Sequence, residues 1–145
     1  MKIISSVFQN NSKIPAKYTC DGQNINPPLS FLEMPSNAKS LALIVDDPDA
    51  PGGVWTHWLV FNIDPKVIGV AENSIPTGGS EGMTSFGNKN YGGPCPPAGT
   101  HRYFFILYAL NSILNLTNPD KTELENAMRG HILDRAELIG NYNRD

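Results

Sequence analysis

The sequence lacks several features that would assign a function at once. It has only two cysteines, no long apolar run and no excess of basic residues, since 11 Lys and Arg against 14 Asp and Glu give a formal net charge of −3. A general basic surface for nucleic acid or anionic membranes is therefore not expected. No stretch approaches the length that spans a bilayer, and no secretion signal opens the chain, so the sequence predicts a cytoplasmic protein without integral membrane association.

The two cysteines, Cys20 and Cys95, do not have the spacing of a metal-binding pair. In the reducing cytosol they are expected to stay as thiols. A disulfide or a weak redox site is left open for the case in which the fold brings them together.

The composition is that of a folded protein, with 40% hydrophobic and 17% charged residues. A length of 145 residues suits one sizeable core and is short for two. We therefore predict a single domain over residues 1–145.

Three apolar runs, over residues 40–46, 54–63 and 101–110, predict the central strands of a sheet. In the second run, alternation places on one face the side chains of Trp55, His57, Leu59, Phe61 and Ile63. In the third run, alternation places on one face the side chains of His101, Tyr103, Phe105, Leu107 and Ala109. Weaker strands are predicted over residues 2–6, 17–20, 29–33, 67–71 and 82–86.

Helical signals are confined to the C-terminal region. Thr122 and Glu125 have the spacing of a capping box, and helical periodicity runs from Leu124 to Ile132, with a last strand predicted over 136–142. The stretch 74–100 contains seven glycines and four prolines, which indicates ordered loops. Many short strands and one late helix predict an all-β fold, an antiparallel β-sandwich of two sheets with a short C-terminal helix.

Two familiar motifs fail on their context. Residues 78–82 match the G-x-S-x-G pattern, but the strand and helix that must flank Ser80 are missing. The stretch from Asp47 begins like a calcium loop, but Pro51 and Trp58 stand where oxygen ligands are required. Two aspartates and two histidines could hold a metal, yet their spacing matches no strong metal signature, so no metal site is predicted.

Polar side chains cluster at the ends of the three strong runs. Asp47 and Asp49 follow the first run, His57 lies early in the second, and His101 and Tyr103 open the third. Taken singly, such residues close turns or pack in a hydrogen-bonded core. Taken together at one edge of a sandwich, they favour a pocket in which histidine and tyrosine donate to anionic oxygens.

Several segments resemble a known family. DDPDAP, VWTHWLVFNI and YGGPCPPAGTHRYFFILYAL resemble the two signature regions of the phosphatidylethanolamine-binding protein family, which includes Raf kinase inhibitor protein. YTCDGQNINPPLSF and AMRGHILDRAELIGNY further resemble its bacterial and archaeal branch. The resemblance implies a β-sandwich with a small pocket for phosphate, acetate or a phosphorylated head group. Its pocket positions fall on Asp47, Asp49, Pro51, Trp55, His57, Pro96, Pro97, His101 and Tyr103.

Arg102 is expected outside the pocket, because alternation places it on the opposite face of its strand. Animal members carry a longer insertion before Trp55 and a C-terminal helix beside the pocket, so binding to Raf kinase is not transferred to this chain.

The function predicted is that of a soluble binding protein, not an enzyme, with no cofactor and a small anionic or phosphorylated ligand. Two alternatives are kept. One is an inhibitor module that acts on a kinase or protease through loop 74–100, and the other is a hydrolase that uses histidine and aspartate as acid and base. The residues identify no dedicated dimer interface, and a homodimer is left open.

Overall fold

A computed structural model describes residues 1–144 as two β-sheets with one α-helix. The strands are β1 Lys2–Ile4, β2 Ser12–Lys13, β3 Leu29–Leu32, β4 Ser40–Asp47, β5 Trp55–Ile63, β6 Gly69–Val70, β7 Ser80–Glu81, β8 His101–Leu110 and β9 Ile132–Tyr142. A 3₁₀ helix covers Ala16–Tyr18, and helix α1 covers Lys121–Met128.

The larger sheet has six strands in the order β2-β9-β8-β4-β5-β7, and the smaller has three in the order β1-β3-β6. All pairs are antiparallel except β2, which runs parallel to the end of β9. The predicted β-sandwich of two sheets with a short C-terminal helix is therefore confirmed, with one short parallel pair that was not predicted.

The main core lies between the two sheets. The smaller sheet contributes Ile3 and Phe31, and the larger sheet contributes the inward residues of its four long strands. These inward residues include Leu41, Leu43, Val45, Trp58, Val60, Ile63, Phe105, Leu107 and Leu138. The predicted inward face of β8 is confirmed, since Tyr103, Phe105, Leu107 and Ala109 all belong to this core.

Helix α1 covers the outer face of the larger sheet. Leu124 and Met128 of the helix pack with Ala42, Ile44 and other residues that point away from the smaller sheet. Strands β4 and β5 are thereby largely buried on both faces, as their nearly continuous apolar sequence requires, whereas the outer face of β8 is only partly covered.

The predicted alternation of β5 is wrong for residues 58–61 and holds again at Ile63, which belongs to the inner core. Two register shifts interrupt the pairing of β4 with β5, and the first leaves His57 as an extra residue between the pairs Val45↔Trp58 and Asp46↔Thr56. A bulge of this kind reverses the faces that follow it. Trp58 therefore joins His57 on the inner side, while Leu59 and Phe61 pack on the outer side under α1.

Two weaker strands were also wrongly predicted. Residues 17–20 overlap the 3₁₀ helix, because the Tyr18 and Thr19 amides donate to the carbonyls three residues earlier. Residues 82–86 contain a turn in which the Gly87 amide donates to the Thr84 carbonyl, and the paired strand β7 lies earlier, at Ser80–Glu81.

The helix begins before the predicted cap. The Asp120 carboxylate accepts from the Glu123 amide at 2.8 Å, and the Asp120 amide donates to the Glu123 carboxylate at 3.2 Å, which completes a capping box two residues earlier than expected. Gly130, at a φ of 82°, follows the helix C-terminus. Ile132 therefore opens β9, which pairs with β8 along its whole length and starts four residues before the predicted 136.

Exchange of Asp120 for alanine is expected to lower the free energy of unfolding by about 1 kcal/mol, because it removes the acceptor of the capping box. Urea denaturation measures this loss. Thr122→Ala, at the position that the sequence had favoured, is the matched control and is expected to change stability by less than about 0.5 kcal/mol. Equal losses in the two variants would contradict the assigned cap.

Among residues 1–144, no helix is long and apolar enough to cross a membrane.

Candidate functional site

Three neighbouring strands of the larger sheet deliver polar residues to one edge. Asp47 ends β4 and pairs in register with Trp55, the first residue of β5, while His101 opens β8 on the other side of β4. These ends border a cavity of about 230 Å³. It is lined by Asp47, Ala50, Pro51, Trp55, His57, Phe86, Cys95, Pro96, Pro97, His101 and Tyr103. Eight of the nine residues assigned from the sequence thus meet in one place.

Asp47 and His101 form a buried pair inside this pocket. His101 Nδ1 lies 2.7 Å from Asp47 Oδ2, and the two residues are only 6% and 3% exposed. The other carboxylate oxygen accepts the Asp49 amide at 2.8 Å. Because an ionised carboxylate can only accept, Nδ1 of His101 carries a proton and Nε2 is the nitrogen available to a ligand.

His57 is held in the same manner by a backbone group. Its Nδ1 donates to the Gly92 carbonyl at 2.7 Å, so that Nε2 is again the remaining nitrogen. Burial lowers the pKa of His57 below the usual 6.5, while Gly92 and the carboxylates of Asp47 and Asp46 oppose the shift. The folded state therefore binds fewer protons here than the unfolded chain, and stability is lost as the pH falls from 6.5 towards the lowered pKa.

Tyr103 carries an unusual hydroxyl at the base of the pocket. Its Oη is buried and lacks a hydrogen bond of ordinary geometry, although it lies near the Asp47 carboxylate and the Cys95 backbone. Burial, and next the charge of Asp47, raise the pKa of this phenol far above its usual value, so that it stays a donor. A buried donor without a partner is costly, and a ligand oxygen is one group that would satisfy it.

Aromatic rings close the pocket around His57. The His57 ring makes edge contacts with Phe86 and Tyr103 at centroid distances of 5.2 Å, and Phe86 also contacts Trp55 at 5.5 Å. Trp55 and Phe86 remain 39% and 43% exposed, so they form the mouth of the pocket and not its floor.

Asp49 is the predicted site residue that does not line the cavity. Its carboxylate accepts three bonds of 2.9 Å from the backbone and guanidinium of Arg102. Hydrogen bonding by Arg102 lowers the pKa of Asp49 to about 2. Arg102 itself lies outside the cavity lining, as its strand face predicted. The ion pair of Asp49 with Arg102 connects the loop after β4 to β8, and it thereby stabilises the rim of the pocket.

The two cysteines are bonded to each other, contrary to the expectation of free thiols. Cys20 and Cys95 form a disulfide with a Cα–Cα distance of 5.5 Å across 75 residues of sequence. A nearby backbone bond from the Cys20 amide to the Pro94 carbonyl brings the two segments together. Neither the composition nor the spacing of the cysteines could predict that they meet, because their contact depends on how loop 74–100 folds back over the 3₁₀ helix.

Sequence reasoning missed Ala50, Phe86 and Cys95 as lining residues. Ala50 lies inside the DDPDAP motif, and Cys95 directly precedes the two rim prolines, so both had a local signal. Phe86 had none, since it reaches the pocket from a turn within loop 74–100.

Two other observations bear on the kind of site. Among residues 1–144, no group of three or more His, Cys, Asp and Glu side chains is arranged to hold a metal ion. A larger cavity of about 540 Å³ lies between β1 and β9, but its lining residues include no histidine or tyrosine. The pocket at the strand ends is therefore the better candidate for ligand chemistry.

Fold and site together define a two-sheet β-sandwich protein with a small pocket, built around an aspartate–histidine pair at the edge of its larger sheet. The chain belongs to the phosphatidylethanolamine-binding protein family, whose model matches residues 4–143. Similar proteins include a UPF0098 protein of Methanothermobacter thermautotrophicus, 50% identical over 99% of both chains, and one of Chlamydia muridarum, 45% identical over the whole of both.

Solved structures agree with this assignment. A phosphatidylethanolamine-binding protein homologue from Chlamydia trachomatis has a TM-score of 0.96 and 43% identity, covering 99% of this chain and 97% of its own. Escherichia coli YbcL, described as a member of the mammalian PEBP family, has a TM-score of 0.91 and 28% identity, covering 99% and 98%. The resemblance to the bacterial and archaeal branch is therefore confirmed.

Proposed function

We propose that this protein binds a small anionic or phosphorylated group in the pocket between Asp47, His57 and His101. The observation that carries the proposal is the state of the two histidines. Each uses Nδ1 for an acceptor within the protein and keeps Nε2 for a ligand. The Tyr103 hydroxyl, which lacks a hydrogen bond of ordinary geometry, adds a donor at the same place.

The charge of the pocket depends on protons at these histidines. When both imidazoles are neutral, Asp47 leaves the pocket negative and each Nε2 can only accept a hydrogen bond. Protonation of both rings makes the pocket net positive and turns each Nε2 into a donor. Binding of a fully ionised anion is therefore coupled to proton uptake, and the bound anion raises the pKa of His57.

The volume of the pocket limits the size of the ligand that it can enclose completely. At about 230 Å³ it is below the roughly 300 Å³ at which pockets for drug-sized ligands begin. A phosphoryl or carboxylate group fits such a space, and anything attached to it must extend past Trp55 and Phe86. The proposal therefore concerns a head group, carried by a lipid, a metabolite or a phosphoprotein.

Titration with two anions at several pH values tests the proposal. Sulfate brings no proton, so its affinity is expected to fall with rising pH, by about tenfold per pH unit for each proton that the pocket takes up with it. Phosphate near neutral pH still carries a proton that it can donate to a neutral Nε2, so its affinity is expected to fall less steeply. Calorimetric titration from pH 5.5 to 8 measures both.

The histidine ring signals in NMR spectra supply the site assignment. Ligand is expected to shift the signals of His57 and His101, whereas His131, which is exposed and bonds to Asn111, serves as the internal reference. His101→Gln is expected to weaken binding of both anions at least tenfold, and His131→Gln is the matched control. No shift at His57 or His101 in high millimolar sulfate or phosphate would contradict the proposal.

A second candidate function is docking of a protein partner over the pocket mouth. The observation that favours it is the exposed pair Trp55 and Phe86, with Val54 beside them at 52% exposure. A kinase or protease is the class of partner that the inhibitor interpretation requires. Recovery of such a partner by wild-type protein and its loss with Phe86→Ser would support this function, and equal recovery would oppose it.

Hydrolysis is a weaker candidate. The Asp47–His101 pair leaves Nε2 of His101 able to take a proton from water, which favours a general-base role. However, Ser80 lies in β7, outside the cavity lining, so no serine nucleophile joins the pair. A phosphoester and acyl-ester panel with no turnover that depends on His101 would remove this candidate.

A further inference from the structure

The segment 91–100 forms one wall of the pocket and is held in two different ways. Its first part is bonded to the segment 18–24. Tyr91 Oη donates to the Tyr18 carbonyl at 2.8 Å, and the Gly93 amide donates to Asn24 Oδ1 at 2.8 Å. The approach is so close that a side chain at Gly93 would collide with the Tyr18 carbonyl. These contacts fix the backbone that also orients His57.

The second part of this wall, residues 95–100, is exposed except for Pro96, which is buried. Pro96 and Pro97 have no amide proton to donate. The register of β8 with β9 begins only at His101, and residues 97–100 are exposed. The disulfide from Cys95 to Cys20 is therefore a covalent anchor at the start of the part of the wall that carries Pro96 and Pro97.

That disulfide is both accessible and adjacent to the ligand. Cys95 is exposed and Cys20 half-buried, while Cys95 lines the same cavity as His57 and His101. In a reducing compartment, dithiol reductants would reach such a bond, and the disulfides that occur there are usually redox-sensing or catalytic. Accessible disulfides of this kind are the labile ones.

We propose that the Cys20–Cys95 disulfide is a redox switch for the pocket. A thiolate of a dithiol reductant attacks one sulfur, and the resulting mixed disulfide is resolved by the second thiol. The cysteines gain two electrons and two protons and become two thiols, and the reductant becomes a disulfide. Residues 95–100 then lose their covalent anchor, Pro96 and Pro97 leave their positions, and the anion binds more weakly. This inference rests on the proposed anion pocket.

Thermodynamic linkage between reduction and phosphate binding predicts a second effect of the switch that can be measured separately. If reduction weakens phosphate binding by a given factor, phosphate must make the disulfide harder to reduce by the same factor. For a two-electron couple, a tenfold effect corresponds to a shift of about 30 mV. Saturating phosphate is thus expected to lower the reduction potential of the disulfide by about 30 mV for a tenfold loss of affinity.

The test compares phosphate affinity of the oxidised protein with that of the protein reduced by dithiothreitol, at one pH. A loss of tenfold or more on reduction is expected. The matched control is the double variant Cys20→Ser, Cys95→Ser, which should bind as weakly as the reduced protein and should not respond to dithiothreitol. If the double variant does not fold, the potential of the wild-type disulfide with and without phosphate provides the same comparison.

The outcomes separate this inference from the function on which it rests. Equal affinity in the two redox states, or an unchanged potential, would overturn the switch and leave the anion pocket intact. Absence of phosphate binding by the oxidised protein would overturn the pocket itself. Amide NMR signals of Ala98, Gly99 and Thr100 follow the wall directly, without ligand. They are expected to change towards a mobile segment on reduction, and an unchanged set would again overturn the switch.

Discussion

Removal of the disulfide by Cys20→Ser with Cys95→Ser is expected to lower the free energy of unfolding by about 4 kcal/mol. The bond closes a loop of 75 residues, and the conformational freedom that such a crosslink removes from the unfolded chain is worth roughly that amount. Domains of this kind are typically stable by about 5 to 15 kcal/mol in total. The loss is therefore a large fraction of the stability, and urea denaturation followed by circular dichroism measures it.

Reductant provides the control for this variant. Wild-type protein in excess dithiothreitol is expected to match the double variant, and the double variant should be insensitive to dithiothreitol. A loss below about 1 kcal/mol in both comparisons would mean that the unfolded chain gains little freedom, or that the cysteines are not bonded in solution. The stability effect is independent of ligand, which distinguishes it from the switch at the pocket.

Strands β4, β5 and β8 could be predicted from sequence because their extensive burial leaves nearly continuous apolar runs. The run 101–110 coincides with β8, and the runs that became β4 and β5 each differ by a single residue at one end. Asp47, His57 and His101 could be placed near one another for the same reason, since the ends of neighbouring strands share an edge. Local patterning is sufficient wherever pairing is regular.

The other features depend on contacts between distant segments. The disulfide, the hydrogen bond from His57 to the Gly92 carbonyl and the position of Phe86 all require loop 74–100 to fold over the sheet edge. Apolar periodicity carries no information about such a loop. The capping box was misplaced because Asp120 and Thr122 are both good cap residues, and only the backbone geometry decides between them.

The bulge at His57 shows most clearly why strict alternation of side chains does not always predict which face of a strand a residue occupies. One extra residue in β5 turns both His57 and Trp58 to the inner side. Strict alternation would have placed Trp58 on the face opposite the pocket residues. The bulge thus sets the histidine at the pocket and the tryptophan directly beneath the loop that carries the pocket wall.

Exchange of Trp58 for alanine is accordingly expected to cost about 4 kcal/mol of unfolding free energy. Trp58 is 0% exposed, its ring meets Tyr91 edge to face at 5.6 Å, and its Nε1 donates to Glu81 Oε2 at 2.7 Å. Deletion of a fully buried tryptophan leaves a large cavity and removes these contacts, and such changes cost about 3 to 5 kcal/mol. Urea denaturation followed by circular dichroism avoids reliance on the deleted fluorophore.

Trp55→Ala is the matched control, since it deletes the same side chain three residues away. Trp55 is 39% exposed at the pocket mouth, so its loss is expected to cost less than about 1 kcal/mol. Similar losses of unfolding free energy in the two variants would contradict the assignment of Trp58 to the core and of Trp55 to the pocket mouth. Trp58→Ala also removes the support beneath Tyr91, the neighbour of Gly92, whose carbonyl holds His57. The destabilised variant should therefore lose the fixed orientation of His57 as well, because one bulge positions both residues.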